Sequence, residues 1–305
     1  MRGLLFICTL VVMPGLVPAQ AKVKPEWQKL PVEEIERMAL HTKANGNSGL
    51  ADSMAVFCIQ NYLDKPCDSL LFTKQNLLFT SNFFYLLRSK DLFFKFYYDH
   101  SKIADQMIGA RNGYSRDVVE FVIKKEEVDP LLYKDNKVVG NNADWSRIYR
   151  NINRKYGQKY SDAIVPKAKL DYYRKAGNWE KFSRVFDQQI DLHPPTDSSN
   201  YLHGNFGDSW TLNSTAWDVF LACDNKVVLR RALKWVSIGI ILCKDTNAVF
   251  QYLDTKANIL YKLGNNGAAI KCEENVIDLD KGKVNEIYQS TLEKMKNGIP
   301  TWPGK

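Results

Sequence analysis

Four histidines, six cysteines and a few paired carboxylates are the side chains through which this chain could do chemistry. A metal site on a helix needs two His or Cys ligands on one face, three or four residues apart. His41, His100, His193 and His203 each lack such a partner, so no metal is expected. A thioredoxin-type dithiol or a zinc knuckle needs Cys-x-x-Cys, which does not occur. Cys58 and Cys67 could be bridged if a helix end folds back at Pro66; otherwise the cysteines read as small apolar packing residues. Glu33-Glu34 and Glu126-Glu127 read as solvated helix faces. Asn213-Ser214-Thr215 has the form of a glycosylation sequon but opens a helical stretch, where Ser214 or Thr215 would cap it. There is also no Gly-rich phosphate loop and no Gly-x-Ser-x-Gly elbow. The expectation is a non-enzyme with no catalytic residue, cofactor or metal.

The elements that must position any site are helices. Apolar residues, 45% of the 305, recur at three- and four-residue spacing almost throughout, and no sustained two-residue alternation marks strands. The spacing predicts helices over 32–42, 50–63, 74–87, 91–98, 116–127, 145–155, 161–175 and 179–192. It predicts others over 212–222, 227–242, 250–263, 268–279 and 284–296. Polar and Gly-rich breaks fall at 44–48, 135–144 and 194–208. The aromatic run from Asn76 to Tyr98 is expected to pack between helices, since a surface that apolar must be covered.

Arg2, the apolar run 4–17 and Ala19-Gln20-Ala21 have the layout of a signal peptide cleaved after Ala21; the run is too short to span a bilayer. Export to the periplasm, or secretion, is therefore expected. Loss of Cys8 leaves Cys58, Cys67, Cys223, Cys243 and Cys272, an odd number in a chain too large and cysteine-poor for a disulfide scaffold. The net charge of +8 is densest over 146–175, where Arg, Lys and Tyr interleave. Helical spacing and intervening acids make this a solvated face, so nucleic acid is not an expected partner, nor is an integral membrane span expected. The expected organisation is 1–21 signal peptide, 22–140 N-terminal helical region, and 141–305 helical repeats with a capping helix at 284–296.

Two stretches repeat. Leu170 to Pro194, LDYYRKAGNWEKFSRVFDQQIDLHP, aligns without gaps on Ala257 to Lys281, ANILYKLGNNGAAIKCEENVIDLDK. Gly177-Asn178 matches Gly264-Asn265, and Ile190-Asp191-Leu192 matches Ile277-Asp278-Leu279. Leu170 and Ala257 lie seven residues before the glycine, Tyr173 and Leu260 four before, and Phe182 and Ala269 five after. The glycine ends one helix where a left-handed residue is wanted, and a short turn returns the second antiparallel. The three positions then face each other across the hairpin. A looser copy lies between, with Ala216 and Trp217 on its first helix and Ala232 and Trp235 on its second. Such hairpins bury their apolar faces only by stacking.

The pattern resembles the tetratricopeptide repeat, so the expected fold is all-α, with antiparallel helical hairpins stacked as a tetratricopeptide-like α-solenoid. NYLDKP, NLLFTSNFFYLLRSKDLFFKF, VVEFVIKKEEVDPLLY, ADWSRIYRNINRKYG, LNSTAWDVF, YLDTKANILYKLGNNGAAIKCEENVI and TLEKMKNGIPTWP occur in this order. Together they resemble the helical C-terminal region of exported thioredoxin-like proteins of Gram-negative bacteria, over roughly residues 55 to 303. That group normally carries a preceding thioredoxin domain with a Cys-x-x-Cys centre, for which this chain has no counterpart. The resemblance implies fold, export and a scaffold role, not redox chemistry. Tetratricopeptide stacks bind peptides on the face of each pair's first helix. By helical phase Lys167, Asp171, Arg174, Asp254, Asn258 and Tyr261 should face that groove. Asp254 opposes the charge a carboxylate clamp requires, so recognition of a C-terminal carboxylate is not expected. The expected partner is a protein or peptide of the cell envelope. Support of a separate thioredoxin, or a carbohydrate-uptake role like that of repeat-containing sugar-binding lipoproteins, are the alternatives.

Overall fold

The computed structural model describes residues 25–64, 71–140, 142–195, 208–245, 249–279 and 286–304. The expected signal peptide, Cys8, Cys67 and His203 lie outside them. The architecture is all-α, built of neighbouring helices packed on one another. The chain divides into two compact units, Met1–Asp68 and Ser69–Lys305; residue 140, where a change of region was expected, falls inside the second.

The first unit is a helical hairpin. α1 (Val32–Ala44) follows Pro31, and α2 (Ser48–Cys58) runs on into a wider π turn at Ile59–Leu63. The amphipathic phase puts Ile35 and Ala39 against Ala51, Met54 and Ala55, all buried. Gly46 at φ 82 lets its amide donate to Lys43 O (3.0 Å) and the Asn47 amide to Thr42 O (3.1 Å), while Asn47 Oδ1 accepts from Leu50 N. One dipeptide thus closes the first helix and opens the second. The expectation here was only a polar break. Gly46-Asn47 is in fact the same device as Gly177-Asn178 and Gly264-Asn265, with buried Ala39 and Ala51 at the seven-before and five-after positions.

The second unit starts with short helices: α3 (Lys74–Asn82), α4 (Leu92–Asp99), α5 (Ser101–Ile108), α6 (Tyr114–Ile123) and α7 (Asp129–Leu132). The aromatic run packs between them as expected. Phe79, Phe83, Phe93, Phe94 and Tyr97 are buried, and the Tyr97 hydroxyl donates to Leu77 O at 2.9 Å. α5 was not foreseen, because its few apolar residues give too short a period. Its buried Asp105 accepts from the amides of Gly113 and Ser115, both at 2.7 Å, and so ties α5 to α6. A two-residue hairpin, β1 (Tyr133–Lys134) with β2 (Lys137–Val138), was also unforeseen. Its turn is Asp135-Asn136, both at positive φ, which does without the glycine that usually signals such turns.

Six longer helices follow: α8 (Trp145–Tyr156), α9 (Gln158–Lys175), α10 (Trp179–Leu192), α11 (Ser209–Ala222), α12 (Lys226–Leu242) and α13 (Val249–Lys262). α14 (Asn266–Leu279) and α15 (Glu286–Lys296) complete the unit. α9/α10, α11/α12 and α13/α14 pair as hairpins and each packs on the next, with α15 against α14. The two glycine turns use one hydrogen-bond scheme. The Gly177 amide donates to Arg174 O and that of Asn178 to Tyr173 O; the Gly264 amide donates to Tyr261 O and that of Asn265 to Leu260 O, all within 3.1 Å. The α11/α12 turn has no glycine; there Asn225 caps α12 by accepting from the amides of Val227 and Val228. The expected Ser214 or Thr215 cap is not used. α11 begins earlier, at Ser209, capped by Asp208, which leaves Asn213 buried.

Candidate functional site

The gapless alignment sets Glu273 opposite Phe186. In α9/α10 that position is core: Phe186 is buried, stacked on Phe182 and edge-on to Trp235 at 4.6 Å between ring centroids. The corresponding residue of the first hairpin, Ala55, nine places after Gly46, is buried and apolar as well. In α14 the position carries a carboxyl that is 0% exposed. Among the described residues no N–H or hydroxyl donor reaches either of its oxygens.

What faces Glu273 is a second carboxyl, Asp254, one helix away on α13. Burial, with the Asp254 charge adding to it, pushes the Glu273 carboxyl well above the usual carboxylate range. Burial also raises Asp254, to about 6, against the pull of hydrogen bonds from Glu273 and Asn258. Asn258 Nδ2 donates to Asp254 Oδ1 at 2.9 Å and to the Asp254 carbonyl at 3.0 Å. Two carboxyls facing each other in a buried site titrate as a pair, because a shared proton relieves the repulsion of two buried charges.

Asp254 and Asn258 line a pocket of about 440 Å3. Trp217 of α11 forms one wall, Glu286 and Lys294 of α15 stand at the exposed side, and Thr301 closes it. Thr301 Oγ1 is buried and has no partner among the described residues. Trp302 holds this last segment in place, its ring near Phe220 of α11 (6.3 Å) and Tyr261 of α13 (6.0 Å). Beneath, Met295 of α15 joins Ala257, Tyr261 and Ala269 in a small core. The side chain of Lys262 is 4% exposed. Its Nζ donates to Phe220 O at 2.7 Å, pairs with Asp224 at 3.1 Å and lies over the Phe220 and Trp302 rings.

The six groove residues read from helical phase separate into two groups. Asp254 and Asn258 come together at the pocket, and Tyr261 lies beneath Trp302 rather than open to solvent. Lys167, Asp171 and Arg174 do not converge on a site of their own. Lys167 reaches Glu120 of α6 at 3.0 Å, Asp171 lies 3.9 Å from Lys124, and Arg174 covers the Phe182 ring and pairs with Asp218 of α11 at 3.6 Å. They bridge α9 to its neighbours. A second pocket, near Tyr133, has its cations engaged: Lys124 bonds Asp129 at 2.7 Å, and Lys175 lies over the Tyr133 ring at 4.4 Å. Sequence reasoning passed over Glu273, Trp217, Thr301 and Lys262. For Glu273 the signal was present, since the repeat alignment places it opposite Phe186.

Cys58, Cys223, Cys243 and Cys272 form no disulfide among the described residues. Burial pushes the Cys58 thiol up to about 12, with Glu36 adding to it, and burial raises Cys272 too. Thiols held protonated in this way are poor nucleophiles. His100 and His193 end helices, and His41 lies in the last turn of α1. Among the described residues no helix is long and apolar enough to cross a membrane. No family model, curated protein or solved structure matches the chain.

Proposed function

We propose that this protein is an exported, non-enzymatic helical-repeat scaffold of the tetratricopeptide kind that binds a protein or peptide partner in the cell envelope. The observation that carries the reading is the pocket between α11, α13 and α15. It opens on the first helices of two successive hairpins, the face by which tetratricopeptide stacks take peptides, and it is lined by a half-buried tryptophan and a carboxylate. Nothing about this arrangement requires a nucleophile or a cofactor. A rigid stack of hairpins holds the two first helices at a fixed separation, so little ordering entropy is lost at the site when a peptide docks.

The test is affinity capture from envelope extract with the full chain as bait, alongside a Trp217→Ala variant of equal thermal stability. The expected result is one enriched partner whose recovery falls at least fivefold with the variant. No enrichment, or recovery indifferent to Trp217, overturns the reading. Fractionation of cells expressing the full chain tests export: a mature product beginning at Lys22 and released with the periplasmic fraction is expected, and an intact cytosolic product refutes it.

A further inference from the structure

We infer that the pocket between α11, α13 and α15 is a receptor for a single alkylammonium or guanidinium group, the side-chain cation of a lysine or arginine, with Asp254 as its counter-ion. The inference deepens the reading above, resting on the same face as the binding face, and names the chemistry that face selects.

The argument begins from a position that ought to be apolar. Phe186 and Ala55 show what the register of these hairpins calls for, and each is buried. A carboxyl at that position with no donor of its own loses solvation and gains only the shared proton from Asp254. What this placement achieves is local. The Glu273 carboxyl faces one side of Asp254, Asn258 Nδ2 donates to Asp254 Oδ1 at 2.9 Å, and between these neighbours Asp254 lines the pocket. A preoriented carboxylate in a half-dry pocket attracts a cation more strongly than a mobile surface carboxylate does.

The other walls agree in sign and shape. From α11 comes the Trp217 side chain, an aromatic surface against which the methylene stem of a long side chain can lie. Asp218, next to it, is directed to Arg174 instead. From α15 come Glu286 and Lys294, which offset each other at the exposed side, and from the last segment the unpartnered Thr301 Oγ1, an acceptor suited to an N–H. On α13 itself Lys262 is neutralised by Asp224 at 3.1 Å. The net charge left facing the pocket is that of Asp254. The protein also holds one of its own ammonium groups by this chemistry close by, since Lys262 sits between two aromatic rings with a carbonyl and a carboxylate as acceptors.

Proton linkage follows from the pair. The cation binds Asp254 as carboxylate, so binding is fully present above the raised value of about 6 and is lost as pH falls through it. Replacing Glu273 by glutamine keeps a neutral donor against Asp254, so the acid limb of binding stays where it is. Replacing it by leucine removes a donor that lowers Asp254, and the acid limb moves to higher pH.

The experiment is calorimetric or NMR titration of the full chain with N-acetyl-lysine-methylamide, against the isosteric neutral N-acetyl-norleucine-methylamide. n-Pentylammonium chloride serves as the source without a peptide backbone. At pH 7.5 the lysine probe is expected to bind at least tenfold tighter than norleucine and to lose at least tenfold between pH 7.5 and 5. Pentylammonium binding as well as the lysine probe assigns the site to free amines, and weaker binding assigns it to a peptide side chain. Asp254→Asn should abolish the preference. Glu273→Gln should keep binding at pH 7.5 with its acid midpoint unchanged, and Glu273→Leu should move that midpoint up by at least half a pH unit, which a purely structural role would not do. Equal binding of lysine and norleucine, or a preference that survives Asp254→Asn, overturns the inference. A captured partner indifferent to Asp254→Asn overturns it too while leaving the scaffold reading intact; lysine binding without any captured partner does the reverse.

Discussion

Hairpins α9/α10 and α13/α14 are closed by the same turn and filled by different interiors. Both end their first helix at a glycine with positive φ, at 65° and 92°, and both return the next amide to the carbonyl five residues back. In α9/α10 the seam is Leu170 against Phe182, and the position one turn further is Phe186, wedged on Trp235, whose indole N–H bonds Asp187 at 2.7 Å. In α13/α14 the seam is Ala257 against Ala269, and that same position is Glu273. The first hairpin is built to be held by its neighbours. The second gives up apolar area at one core position and keeps a carboxyl pair beside a pocket. The turn determines where the helices go, and the residue nine places after the glycine determines whether the hairpin is only structural.

The largest test of that contrast is Phe186→Ala. Loss of a buried aromatic that touches two rings should cost about 3–5 kcal/mol in denaturant unfolding. A loss below about 1 kcal/mol would mean that the position is not core and that the comparison with Glu273 is misplaced. The reverse substitution, Glu273→Leu, should stabilise at pH 8 by on the order of 2 kcal/mol, by removing a desolvated carboxyl. The sign with pH is fixed by the raised native value. The unfolded state gives up its proton near the ordinary carboxylate pKa while the native state keeps it, so wild-type stability falls as pH rises above that point. The gain from Glu273→Leu should therefore shrink as pH falls toward 4.5, and thermal melts across pH 4.5–8 will show whether it does. Gly177→Ala and Gly264→Ala should each cost roughly 1 kcal/mol, and by the same amount, since neither meets any atom a methyl would strike and only the left-handed backbone opposes them. Unequal costs would show that the two turns are not equivalent. The smallest effect belongs to Arg174→Ala, whose pairing with Asp218 is half exposed on both sides. Its loss should change stability by less than about 1 kcal/mol.

The helices were legible because their period is long and regular, and the hairpins because glycine is the residue that tolerates the left-handed turn. The first hairpin was less legible. Its seam is Ala39 and Ala51, residues too small to stand out, and only the Gly46-Asn47 turn marks it. α5 buries too few apolar residues to show a period. Half of the expected groove is taken up by ion pairs between neighbouring helices. Helical phase says which side Lys167 and Arg174 lie on, yet not that Glu120 and Asp218 stand there to meet them. The pocket itself could not be read, because Thr301 reaches it from the segment beyond α15, a contact that no local pattern records.

The return of Trp302 onto Phe220 has a kinetic consequence. Hairpins closed by three-residue turns gather contacts between residues close in sequence, which form early in folding. The contact of Trp302 with Phe220 spans α12 to α15 and must wait until those helices are packed. The pocket is therefore the last part of this region to assemble, and an occupied pocket marks a chain that has finished folding.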